Sequence, residues 1–230
     1  MFLQNDLLGV AFVYIYVILL LIFTEKIVSK KYPVASRKML HIMVGNIAFI
    51  LPIFQTREVM AFVAAGPFII LTFLMSPYSP ISSVKDKISK SGHSLGLVYY
   101  AIAWTILAYF FFEHKEIIAI GILAMSYGDG FASVVGVRFG KHKYKIFDDI
   151  KSLEGSISMF LFTFILLNIA VIYYEIEISF ILILYLILIS IVTSFIEGFT
   201  PRGLDNLSVP FIAAFLYWFV YYNILNSVQL

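Results

Sequence analysis

The stretch IIAIGILAMSYGDGFASVVGVRFGKHK, residues 117–143, decides the fold. It stays apolar for about twenty residues, the length a helix needs to cross the hydrocarbon of a bilayer. Inside it sits one carboxylate, Asp129, nine positions before the first cation, Arg138. At a rise of about 1.5 Å per residue, that puts the acid about 13 Å inside the boundary. An ionisable group there costs roughly 2.5–3.5 kcal/mol on insertion scales, so Asp129 is a functional candidate. Read blandly, it bonds a neighbouring helix. Ser133 follows one turn later, and Gly128, Ala132, Gly136 and Gly140 recur every four residues. Such a stripe lets another helix approach closely, either within the chain or from a second copy in a homodimer.

The rest of the chain agrees with a membrane setting. Of 230 residues, 61% are hydrophobic and 13% charged, with a mean hydropathy of +0.96. Soluble domains carry about 25% charge, so an ordinary soluble globule is excluded. The absence of cysteine removes disulfides, thiolate zinc sites and cysteine nucleophiles. No basic domain remains outside the apolar runs, which excludes nucleic-acid binding. The expectation is one all-α integral-membrane domain over residues 1–230. It has about eight transmembrane helices, near 7–23, 39–54, 59–75, 94–112, 117–137, 156–173, 179–196 and 207–222. The first run lacks a basic leader and a small-residue cleavage site, and reads as a retained helix.

Charge orients these spans. Of the sixteen Lys and Arg, all but Arg57 and Lys115 fall in four connections, at 24–38, 76–93, 138–155 and 197–206. The positive-inside rule places those loops in the cytoplasm and both termini outside.

The remaining polar residues collect near the same face. In the seventh span Ser190, Thr193, Ser194 and Glu197 share a helical stripe, and Asp205 and Asn206 stand at the entrance to the eighth. The three hydroxyls suit interhelical hydrogen bonding, and Asn206 suits a helix N-cap with Pro210 in the first turn. Arg37, Lys38 and His41 open the second span, Glu154 precedes the sixth, and His93 lies in a loop. Their bland readings are a positive-inside anchor, a solvated helix-terminus acid and a loop histidine. Acids Asp129, Glu154, Glu197 and Asp205 face Arg138, Lys141, Lys143, Lys145 and Lys151. That mixture suits a phosphate-bearing substrate held through a divalent cation: carboxylates take Mg2+, and basic side chains take phosphate oxygens. The fragment GVRFGKHK has three residues between its glycines where a P-loop has four, and no Ser or Thr after the Lys.

Four fragments resemble the CTP-dependent lipid-alcohol kinases, the group of dolichol kinase, phytol kinase and CTP-dependent diacylglycerol kinase. They are SRKMLHIMVG (36–45), YGDGFASVVGVRFGKHK (127–143), KSLEGSISMF (151–160) and IEGFTPRGLDNLSVP (196–210). The resemblance implies that Arg37, Lys38, Asp129 and Gly136 match essential positions. Lys151, Glu154, Gly155, Glu197, Asp205 and Asn206 match the other motifs. The related CDP-diacylglycerol synthases carry a histidine and a second Asp in the last motif; PRGLDNLSV has neither.

The expectation is therefore a kinase that moves a phosphate from CTP to a membrane lipid alcohol of polyprenol, phytol, geranylgeraniol or dolichol type, at the cytoplasmic leaflet. Asp129 and Asp205 would hold Mg2+, with Asn206 and Glu197 beside them. Arg37, Lys38, Gly136, Lys141, Lys143 and Lys151 would cradle the triphosphate. The general base is Glu154, Glu197 or His41, with Glu154 narrowly preferred because it adjoins the phosphate loop. The alternatives are a cytidylyltransferase making a CDP-lipid, and a transporter, which would need midplane sites and repeats the chain lacks.

Overall fold

The computed structural model describes residues 4–24, 26, 33–81, 95–201 and 203–221. Within them the chain is helical almost throughout. Helix α1 (Gln4–Phe23) is followed by α2 (Pro33–Val44), which continues through two short 3-10 turns to Ile53. A π-helical segment, Val59–Ala65, runs into α3 (Pro67–Leu74), and α4 spans Gly96–Phe110. Helix α5 (Lys115–Leu123), a π-helical segment (Ala124–Asp129) and α6 (Gly130–Phe139) form one unbroken rod. Strands β1 (Lys143–Ile146) and β2 (Asp149–Ser152) make an antiparallel hairpin, pairing Lys143 with Ser152 and Tyr144 with Lys151. Helices α7 (Leu153–Tyr173), α8 (Phe180–Phe199) and α9 (Asp205–Val220) complete the fold.

Among the described residues, four helical rods are long and apolar enough to cross a bilayer: Gln4–Phe23, Lys115–Phe139, Leu153–Tyr173 and Phe180–Phe199. Four more apolar helices are shorter. The rod bearing Asp129 is central, with Ile117–Met125 all buried. It packs on α9 and α7, and α7 in turn packs on α8. Helix α1 instead exposes Leu7, Phe12, Ile15 and Leu19 while burying Val13, Val17 and Leu20. A helix that is apolar on both faces suits a membrane setting.

The connections are shorter than the sequence suggested. Helix α2 begins at Pro33, a residue pre-set for the first helical turn, so Arg37 and Lys38 are helical and not part of a 24–38 loop. The segment expected as a loop at 138–155 contains the hairpin. There Ser152 caps α7 by accepting the Gly155 N–H at 3.1 Å. Helix α8 runs on through Glu197 to Phe199, and most of the expected 76–93 loop, with His93, lies outside the described residues. Asn206 is not an N-cap: α9 starts at Asp205, whose own Oδ1 accepts the Asn206 N–H at 3.0 Å. The small-residue stripe is occupied within the chain. Cβ atoms on Gly136 and Gly155 would meet Ser152 Oγ at 3.1 Å and the Ala132 carbonyl at 2.8 Å, so α6 and α7 touch there. Two copies pairing through this stripe would have to displace α7.

Candidate active site

Three acids from three elements converge. Asp129 ends the π-helical segment, Glu197 lies in the last turn of α8, and Asp205 opens α9; one carboxylate oxygen of each lies within 4.8 Å of the others. A π-helical turn inserts an extra residue into the helical ladder and recurs at functional sites. Here it sets the direction of Asp129. A lysine and a histidine hold the group. Lys151 Nζ, delivered by β2, donates to Glu197 Oε1 at 2.7 Å and to the Glu197 carbonyl, and lies 3.6 Å from Asp205 Oδ2. His41 Nε2 lies 3.3 Å from Asp129 Oδ2. That contact depends on Gly130, where a methyl group would run into Ile42 and force α2 away.

Burial alone pushes the Lys151 ammonium down, but the Glu197 and Asp205 carboxylates reverse this and hold its pKa above the ordinary lysine value. Lys151 therefore stays charged at neutral pH. Lys38, half-buried on α2, is within electrostatic reach of Asp129. The Arg37 side chain lies outside the described residues, as does Arg202.

The acids form an all-oxygen donor set, which suits a hard divalent cation such as Mg2+. The side-chain amide oxygen of Asn206, Oδ1, adds a further observation. It is buried beside Asp205 and has no hydrogen-bond partner among the described residues, a position that suits a donor or a cation. These residues fit the ion that the sequence implied. Glu197, expected beside the metal, stands among the candidate ligands themselves.

Two cavities among the described residues flank the group, one at Glu197 and one at His41. One, of about 290 Å3, is polar: Ser133 and Gly136 of α6, Lys143 and Lys151 of the hairpin, Ser156 of α7 and Glu197 line it. Tyr144 latches the hairpin over this space, its hydroxyl 2.8 Å from Ser156 Oγ. The other, of about 340 Å3, is walled by apolar residues of α1–α4, with His41 among them. Nothing in the sequence pattern signalled it, because its walls come from residues that read as ordinary lipid-facing Leu, Val and Phe.

Of the expected residues, Asp129, Glu197, Asp205, Lys151, His41 and Asn206 come together. Gly136 and Lys143 line the polar cavity, while Lys141 is exposed beyond it. Glu154 does not join the acid group. Its carboxylate accepts the His142 backbone N–H at 3.3 Å and lies 2.8 Å from His142 Nδ1, tying the hairpin to the start of α7.

Comparison with proteins of assigned function gives a consistent result. The chain is 32% identical over 188 residues to the phytol kinase of Synechocystis sp., a match covering 80% of this chain and 78% of that protein. It is 31% identical over 202 residues to the chloroplastic phytol kinase 1 of Arabidopsis thaliana, covering 79% and 66% respectively. No family model matches the chain, and no solved structure does.

Proposed function

Since the chain belongs to the lipid-alcohol kinase family that includes these phytol kinases, we propose that it transfers the γ-phosphate of CTP to a prenyl-type lipid alcohol. The observation that carries the reading is the three-acid group with Lys151, opening on a glycine-walled polar cavity. Asp129, Glu197 and Asp205, with the Asn206 side-chain oxygen, would hold Mg2+, which would supply positive charge to offset that of the phosphates. Lys151, Lys143 and Lys38 meet the triphosphate.

In the transfer, the alcohol oxygen forms a bond to the γ-phosphorus while the bond from that phosphorus to the bridging oxygen breaks. CDP leaves with the electron pair. The hydroxyl proton needs an acceptor within about 3 Å. His41 takes this role, because Asp129 orients its imidazole and its ring also faces the apolar cavity. Glu154 is committed to His142 and holds the hairpin. Its role is therefore positional.

The four helices of spanning length and four shorter ones cross the membrane in the eight-span arrangement read from the charges, with the acid group at the cytoplasmic leaflet. The hairpin tests that topology in this Cys-free chain. A Cys at exposed Lys145 should be labelled only from the cytoplasmic side. The reaction is tested by incubating purified protein with CTP or ATP and a panel of alcohols, then identifying products by mass. An alkyl phosphate with CDP supports the kinase. A CDP-lipid with pyrophosphate makes it a cytidylyltransferase and overturns the reading.

A further inference from the structure

Among the described residues, the apolar cavity has one polar exit. Besides His41, its walls include the hydroxyl residues Thr72 and Tyr100, and both hydroxyls are already engaged inside the protein. Thr72 donates to the Phe68 carbonyl at 2.7 Å, and Tyr100 lies 2.7 Å from Ser126 Oγ. A sugar, a base or a phosphate would find no partner among the described lining residues, and leaving its polar groups unpaired would be expensive. At one end His41 reaches Asp129 at 3.3 Å. On the side of α3, Leu71 is 45% exposed, so the cavity is open laterally along a wall that borders lipid.

We propose that this cavity is the site for the hydrocarbon chain of the alcohol, entered sideways from the bilayer, with the hydroxyl leading toward His41. The assignment rests on the kinase reading and adds a length rule to it. At about 30 Å3 per water-sized group, a volume of about 340 Å3 takes roughly eleven methylene-sized units. That is less than a phytyl chain. The protein therefore reads the part of the chain nearest the hydroxyl and leaves the distal part in lipid. Among prenols, kcat/KM should climb from prenol through geraniol and level off by farnesol, with geranylgeraniol and phytol close to farnesol.

Two readouts test this on the full-length protein in lipid nanodiscs. The first uses Trp104, which lines the cavity and becomes the sole tryptophan in a Trp218→Phe background. A fatty alcohol with a mid-chain nitroxide should quench its emission saturably, and geraniol should reverse the quenching. The second compares Leu71→Phe with Ala101→Phe, both of which narrow the cavity, one from its open side and one from within. Each should lower the farnesol-to-prenol ratio of kcat/KM by roughly tenfold or more. The tail site is overturned if nitroxide phosphatidylcholine quenches equally and no alcohol competes, which makes the cavity an ordinary lipid groove. It is also overturned if both variants keep the wild-type ratio. Phosphorylation with a flat length profile would sink the tail site and leave the kinase standing. Competed quenching with no alcohol phosphorylated would do the reverse.

Discussion

Two buried acid sites at opposite ends of the α2 segment differ in what satisfies them. Asp6 in α1 is fully buried, and its carboxylate accepts the N–H groups of Gln55 and Thr56 at 2.8 and 3.0 Å and the Thr56 hydroxyl at 2.6 Å. Backbone and side chain close that site, and it staples α1 to the turn preceding Val59. At the other end, Asp129, Glu197 and Asp205 share a few ångströms with one lysine and one histidine, and the Asn206 side-chain oxygen has no donor among the described residues. Two like charges 4 Å apart repel by about 4 kcal/mol at an effective dielectric near 20. One ammonium does not offset three carboxylates. Burial of an acid is thus common to structure and chemistry here, and the distinction lies in whether the protein alone completes its coordination.

Substitutions should separate the two sites in opposite directions. Asp129→Asn should lower kcat on the order of a thousandfold, as expected when several kcal/mol of metal-borne stabilisation is lost, while the thermal transition of the metal-free protein stays near wild type. Lys151→Met should lower turnover by about a hundredfold, the scale for removing one preorganised cationic donor. It also leaves Glu197 and Asp205 without their ammonium, so Mg2+ should raise the melting temperature of this variant more than that of wild type. Asp6→Ala should do the reverse of Asp129→Asn. Two buried N–H groups lose their acceptor, destabilising the fold by about 1–3 kcal/mol, with kcat of the folded fraction unchanged. If Asp6→Ala instead abolished turnover without loss of stability, the contrast between the sites would fail. The smallest effect belongs to Glu154→Gln, which weakens the His142 contact and should reduce turnover only a few-fold. His41→Ala, measured alongside it, should lower turnover far more than Glu154→Gln; the opposite order would return the base role to Glu154.

Sequence made one of these sites visible and hid the other. Asp129 stood out because a lone carboxylate inside an apolar run is costly, and Glu197 and Asp205 because they followed a polar stripe. Asp6 lay near the start of the first run and drew no attention, since its partners Gln55 and Thr56 are some fifty residues away. The pairing of Lys151 with Glu197 was equally hidden. Loop lysines all look alike in a linear chain, and only the hairpin register turns one of them inward. Helix edges shifted where local chemistry overruled hydropathy, as at Pro33 and Ser152. The preference for Glu154 as base followed adjacency in sequence, whereas the fold brings His41 to Asp129 across more than eighty residues. The apolar cavity left no trace, because the residues lining a hydrocarbon site have the same composition as those facing lipid.

The central claim is that the three acids complete themselves with a divalent cation. Mn2+ binding measured by electron paramagnetic resonance on purified protein, with CTP present, tests it most directly. Wild type should bind Mn2+ at a site lost in both Asp129→Asn and Asp205→Asn and retained in Asp6→Asn. Undiminished Mn2+ binding in the Asp129 and Asp205 variants, or full kinase activity after all divalent cations are removed, would contradict the account.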